Sequence, residues 1–192
     1  MNPFDDAALD RLKEILSRTP AEEITKEGHR RACVVAPIFK SDGGYSLLFC
    51  KRSKDLPAHS GQIAFPGGGA LEGEKLEDAA RRETEEEVGI PAARVELIGR
   101  LDDLITVSGY IVAPFVGVIP PNFEYLLQAS EVDEVYEVPL EALLDSSNPE
   151  VRLIDYRGRR YPSYFYHWQG LEIWGLTGRM VKALLDLVRL AL

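Results

Sequence analysis

The stretch GGALEGEKLEDAARRETEEEVGI, residues 68–90, decides how the rest of the chain is read. Its spacing predicts a helix over 74–88, stopped by Gly89 in a left-handed cap and by Pro91. Leu76, Ala79 and Ala80 form an apolar stripe that should face a core. One and two turns further on, the same stripe carries Glu83 and Glu87, with Glu86 beside them. These positions are related by i, i+3 and i, i+4, so their carboxylates share one face. They lie in the last two turns, where the macrodipole favours cations, and Glu85 adds a further negative charge. Arg82 is one nearby positive charge, and a single guanidinium does not neutralise the cluster.

Before the helix, Pro66-Gly67-Gly68-Gly69 reads as a glycine turn. Such a run brings the backbone where a side chain would block it, and its carbonyls can approach an ion. A short strand over 62–65 leads into it, after a polar loop over 52–60. Further upstream, 31–39 and 45–51 read as strands joined by a hairpin turn at Ser41-Asp42-Gly43-Gly44. Residues 5–17 form an amphipathic helix with Leu9, Leu12, Ile15 and Leu16 on one side. Downstream, 94–102, 110–119 and 134–138 are strand candidates, followed by a short helix over 139–144. A meander over 151–156, 161–168 and 171–173 follows, and 176–192 forms a final helix with Met180, Leu184, Leu187 and Val188 inward. Strands on both sides of a central helix, with helices at the ends, predict an α/β fold: a mixed sheet sandwiched between helices.

Composition bounds the function. A chain of 192 residues, 45% hydrophobic and 28% charged, suits one globular domain with a sizeable core. A net charge of −9 argues against nucleic-acid or anionic-membrane partners. No apolar run approaches the length of a membrane span, and the N-terminal residues lack a secretory pattern. Cys33 and Cys50 both lie in apolar runs, as buried thiols of a reducing compartment do. A cytoplasmic protein is expected.

Geometry alone leaves the acidic face open to two readings: a solvated charged surface, or a metal site. For the second, carboxylates plus a carbonyl from the glycine turn make an all-oxygen set suited to Mg²⁺ or Mn²⁺, because no His or Cys is near in sequence. Such an ion keeps positions for water and phosphates, so a phosphoanhydride is the natural substrate.

The pattern Gly-x5-Glu-x7-Arg-Glu-U-x-Glu-Glu-x-Gly-U, with U bulky and apolar, is the signature of the Nudix hydrolases. It fits Gly68, Glu74, Arg82, Glu83, Glu86, Glu87, Gly89 and Ile90, with Thr84 at the first U position. Seven fixed identities at about one in fifteen each put a chance match on the order of 10⁻⁸. The chain thus resembles the Nudix family over roughly residues 31–190, and one Nudix domain over 1–192 is expected. The run before the helix resembles the coenzyme A pyrophosphatase branch: Leu48-Phe49-Cys50-Lys51-Arg52-Ser53, then Gly61 and Phe65-Pro66-Gly67-Gly68. Cys50 stands where that branch has Thr, and Pro57 where it has Arg. Thr106–Tyr110, residues 131–140 and residues 173–177 also look like that branch.

The resemblance implies metal ligation by Glu83, Glu86 and Glu87, with a carbonyl from Gly67 or Gly68. Arg82 would orient a glutamate, and Glu74 would be structural. The base for the attacking water would be a glutamate of the box, or Glu131 or Glu134. Arg30, Arg31, Lys51, Arg52 and His59 are candidates for substrate phosphates; each also has a plain reading as a strand-flanking or loop residue. The implied reaction splits coenzyme A into 3′,5′-ADP and 4′-phosphopantetheine. Alternatives are another diphosphate such as ADP-ribose, or a non-catalytic ligand-binding scaffold. The aromatic strand over 161–168 either forms a homodimer interface or covers the core.

Overall fold

The computed structural model describes residues 4–56, 59–145, 147–156 and 158–192. Pro57, at the position where the resemblance expects Arg, lies outside the described residues. The chain begins with α1 (Asp6–Arg18), capped by the Asp5 side chain, which accepts from the Ala8 N–H. Strands β1 (Arg30–Ser41), β2 (Gly44–Arg52), β3 (Ile63–Ala64) and β4 (Gly67–Gly69) precede α2 (Leu76–Val88). After a 3₁₀ turn (Ala92–Arg94) come β5 (Glu96–Arg100), β6 (Leu104–Ile105), β7 (Tyr110–Val118) and β8 (Val132–Pro139). The remainder is α3 (Leu140–Leu144), β9 (Glu150–Tyr156), β10 (Arg159–Trp168), β11 (Leu171–Ile173) and α4 (Gly175–Ala191).

The main sheet runs β3-β2-β1-β7-β5, with β4 on β1, β6 on β7 and β8 on β2. β1 and β7 are parallel and the other pairs antiparallel, so the sheet is mixed. Alternation along β1 builds two cores. Val34, Ala36 and Ile38 face a layer of α1, α3 and α4, while Cys33, Val35 and Phe39 face α2. The predicted α/β sandwich is the observed fold. Among the described residues no helix is long and apolar enough to cross a membrane. Both cysteines are buried, unpaired thiols.

Four local expectations are corrected. The glycine run is a strand rather than a turn: Gly67, Gly68 and Gly69 pair with Val34, Cys33 and Ala32. At Gly67 only a residue without a side chain fits, since a Cβ there would lie 2.2 Å from the Cys33 carbonyl oxygen. The strand over 62–65 shrinks to Ile63–Ala64, and the acidic helix begins at Leu76 after Lys75. Leu187 is half-buried against the core edge rather than inside it. In β10, Phe165 and Tyr166 are buried whereas Tyr161 is 47% exposed, so the strand covers the core with its second half and exposes Tyr161 near its start.

One polar clasp went unread in the sequence. Asp103, its side chain fully buried, accepts from the Ile24 N–H and Arg31 Nη1, each at 2.9 Å, and from Arg100 Nη2. It thereby straps the connector after α1 onto the sheet. Burial pushes this carboxyl up, but the donors from Ile24, Arg31 and Arg100 outweigh it and hold it below the ordinary 3.8. A depressed carboxyl contributes stability at pH values above its unfolded pKa and loses it as pH falls through the folded pKa. Asp103→Ala should therefore cost about 2–4 kcal/mol at neutral pH. The gap in melting temperature between variant and parent should narrow below about pH 4; a gap independent of pH would contradict the charged clasp.

Candidate active site

The acidic helix and the glycine strand are pinned together by side chains. Glu87, 3% exposed, accepts the Gly67 N–H at 2.9 Å through Oε2. Burial raises its carboxyl to about 7, partly opposed by the Gly67 N–H and the charge of Arg52. Glu83 is half-buried, and desolvation raises it despite the hydrogen bond from Arg82. Its carboxylate sits against the strand: a Cβ added to Gly68 would lie 2.3 Å from Glu83 Oε2. Thr84, at the departing box position, is fully buried, and its hydroxyl donates to the Ala80 carbonyl at 2.8 Å. An apolar residue would fill the same place, which explains why Thr is compatible with the motif.

Arg82 organises the cluster. Its Nε and Nη2 donate to the two oxygens of Glu74, each at 2.9 Å, while Nη1 reaches Glu83 at 2.7 Å and Glu86 at 3.0 Å. Nη2 also donates to the Gly69 carbonyl at 3.2 Å. The Arg82 fork and the Leu71 N–H hold the Glu74 carboxyl down at about 2. Glu74 thus anchors the arginine and Arg82 presents Glu83, as a planar five-donor group can and an ammonium cannot. Arg82→Lys should lower turnover roughly ten- to a hundredfold with little change in melting temperature; parent-like kinetics would show that the fork is dispensable.

The loop after β7 is registered on the end of α2. The Leu126 N–H donates to the Val88 carbonyl and the Gln128 N–H to the Glu87 carbonyl, both at 3.1 Å. These bonds satisfy carbonyls that a helix end leaves open. The same loop brings in Glu131, whose charge raises both Glu83 and Glu87. Buried Ser53 ties this loop to the other side through its N–H, which donates to the Glu131 carbonyl at 2.8 Å. Sequence reading missed these ties, although the helix-ending Gly89 hinted that another segment must cap the helix.

The structure therefore brings together Glu83, Glu86, Glu87, Arg82, Gly67, Gly68, Arg52 and Glu131. It sets others apart. Glu134 is paired with Lys51 at 2.9 Å and takes the Tyr136 hydroxyl, so neither Glu134 nor Lys51 is uncommitted. Arg31 is held by Asp103 and the Ile24 carbonyl. His59 is exposed and contacts Gln62 at 3.0 Å. Of the proposed phosphate cations, Arg52 is the one whose charge acts on Glu87, and its buried Nε lacks a hydrogen-bond partner.

The donor chemistry suits a hard divalent cation. Every candidate ligand is an oxygen, and desolvated carboxylates at Glu83 and Glu87 gain from a neighbouring positive ion. The Cys33 thiol is pushed up to about 12 by burial and stays protonated, with Sγ 3.8 Å from the Gly68 carbonyl oxygen. Among the described residues, no group of three or more His, Cys, Asp or Glu side chains is already gathered as an ion-holding set. Glu86, with its side chain 52% exposed, accepts from Arg82.

A model of the NUDIX domain matches residues 28–156, more than half of the chain. The chain belongs to the Nudix hydrolase family. Its Nudix relatives include a protein described as the uncharacterized Nudix hydrolase NudL of Photorhabdus laumondii, 37% identical over 175 residues, covering 91% of this chain and 93% of that one. The protein of the same description from Escherichia coli O1:K1 is 38% identical over 178 residues, covering 90% and 92%. Among solved structures, a MutT/nudix family protein from Enterococcus faecalis superposes with a TM-score of 0.52 at 16% identity, covering 94% of this chain and 70% of that one. The Nudix hydrolase RenU of M. smegmatis gives 0.50 at 19% identity, covering 59% and 72%. These likenesses agree with the fold. Nudix enzymes cleave small nucleotide diphosphate derivatives and typically use a divalent metal, which fits the acidic, all-oxygen cluster on α2.

Proposed function

We propose that this Nudix hydrolase cleaves the phosphoanhydride of coenzyme A or its derivatives, releasing 3′,5′-ADP and 4′-phosphopantetheine. The observation that carries the substrate is the run before the acidic helix, Ser53, Gly61 and Phe65-Pro66-Gly67-Gly68, which keeps the spacing of the coenzyme A branch. Ser53 also holds the backbone of Glu131, so the loop of that run is coupled to the cluster.

Glu83, Glu86, Glu87 and the Gly68 carbonyl would hold Mg²⁺ or Mn²⁺, which when bound stabilises charge on the phosphates and lowers the pKa of a coordinated water. Arg82 keeps Glu83 oriented. Glu131, bordering Glu83 and Glu87, is favoured over Glu134 as the base, because Glu134 is engaged by Lys51 and Tyr136. Arg52 is the cation best placed to meet a phosphate beside Glu87.

Pro57, where the branch has Arg, favours a second reading: another diphosphate, such as ADP-ribose. Initial rates on coenzyme A, ADP-ribose and NADH, each with Mg²⁺ and with Mn²⁺, separate the two. Coenzyme A should give the highest kcat/KM, with 4′-phosphopantetheine among the products. No turnover of coenzyme A beside good turnover of ADP-ribose would transfer the assignment to the second reading.

A further inference from the structure

A cleft adjoins the end of the glycine strand and Glu74. This cleft, of about 600 Å³, opens between the first residues of β1, the first residue of β7 and the loop over 69–74; Arg30, Arg31, Tyr110, Gly69, Glu74 and Leu76 line it. Within it the Arg30 guanidinium lies over the Tyr110 ring, 4.3 Å from the centroid. The Arg30 backbone is fixed by its N–H, which donates to the Gly109 carbonyl at 3.0 Å.

Among the described residues, Arg30 lacks the carboxylate partner that its neighbour Arg31 has. The chain has 31 acidic and 22 basic residues, so a surface arginine readily finds a carboxylate. Arg31, next to it, is bound to Asp103, and Arg82 and Arg100 are likewise paired. Arg30 makes its contact with an aromatic face and, among the described residues, forms no ion pair. The acids of the cleft do not neutralise it: Glu74 is taken by Arg82, and Glu72 is exposed on the rim. Stacking holds a guanidinium by its face and leaves its in-plane N–H donors for an oxyanion.

We propose that this cleft is a subsite for a phosphate monoester remote from the cleaved bond, with Arg30 as its ligand and Tyr110 as the platform that holds Arg30. The cleft shares a wall with the cluster: the Gly69 carbonyl and Glu74 line it and both bind Arg82, which binds Glu83. In coenzyme A a 3′-phosphate hangs from the same ribose whose 5′-oxygen carries the diphosphate, so the proposal places that ribose between Arg30 and the cluster. The identity of that phosphate as the 3′-phosphate of coenzyme A rests on the function proposed above; the anion site itself rests on Arg30.

The test compares the parent with Arg30→Ala and Arg30→Lys in two assays. By calorimetry, the parent should bind 3′,5′-ADP about ten- to a hundredfold more tightly than 5′-AMP, the difference expected for charge-assisted contacts to one phosphate. Arg30→Ala should reduce that preference to about twofold or less, and Arg30→Lys should keep part of it. In turnover, Arg30→Ala should raise KM for coenzyme A about tenfold or more with kcat nearly kept, and leave 3′-dephospho-coenzyme A unchanged. Equal weakening of both nucleotides by Arg30→Ala, or a parent with no preference between them, would overturn the subsite. If coenzyme A is not turned over but the preference exists and disappears in Arg30→Ala, the subsite stands and the substrate assignment falls.

Discussion

Replacing Glu87 by Gln is expected to lower kcat/KM by about a hundred- to a thousandfold while leaving the melting temperature of the metal-free protein unchanged or higher. The two effects separate because the carboxylate is expensive where it stands. Glu87 is nearly sealed from solvent, and burial raises its pKa to about 7. A buried charge of this kind is tolerated for what it does rather than for stability. Gln keeps an oxygen for the Gly67 N–H, so the strand and helix stay joined, while the charge that would hold a cation disappears. Glu83→Gln should lose activity comparably, but its stability should fall slightly, because Arg82 loses a charged partner at 2.7 Å. Steady-state kinetics and thermal melts with and without Mg²⁺ measure both. A rate unchanged by either substitution would remove the basis of the metal-site argument, and a Glu87→Gln protein that melts well below its parent would make Glu87 a structural residue instead.

The acidic helix was legible because its pattern is local: an apolar stripe that turns into carboxylates shows in a few consecutive turns. The α/β class was legible for the same reason, since β1, β2 and β7 are long apolar runs. The partners of the helix were not. That Glu87 would meet the Gly67 N–H, and Arg82 both Glu74 and Glu83, depends on β4 lying along β1, and a run of glycines carries no hydrophobic pattern from which to read a strand. The fate of the cations was hidden for a similar reason. Arg31 and Lys51 look like Arg30 and Arg52 in sequence, but Asp103 and Glu134, 72 and 83 residues further along the chain, engage the first two. Long-range pairing decides which charges remain for a ligand, and composition only counts them.

The adjacent glycines of β4 should answer the same substitution in opposite ways. At Gly67, φ is +148°, and an alanine Cβ would lie 2.2 Å from the Cys33 carbonyl oxygen and 2.5 Å from the Val34 Cα. Both obstacles are backbone of the central strand, which cannot give way without parting β4 from β1. Gly67→Ala should therefore cost about 3–5 kcal/mol, equivalent to roughly a 10 °C fall in melting temperature. At Gly68 the obstacle is the end of a side chain, with Glu83 Oε2 at 2.3 Å and Cδ at 2.6 Å from the added Cβ. That carboxylate can swing aside, so Gly68→Ala should fold with a melting temperature within about 3 °C of the parent. The displaced Glu83 would leave the Arg82 fork, and activity should drop about a hundredfold even at saturating Mg²⁺. Melts and kinetics on the two variants side by side decide the matter. An active Gly68→Ala enzyme would mean that the contact between Glu83 and the glycine strand is incidental, and a stable Gly67→Ala protein would mean that β4 does not need the close approach to β1.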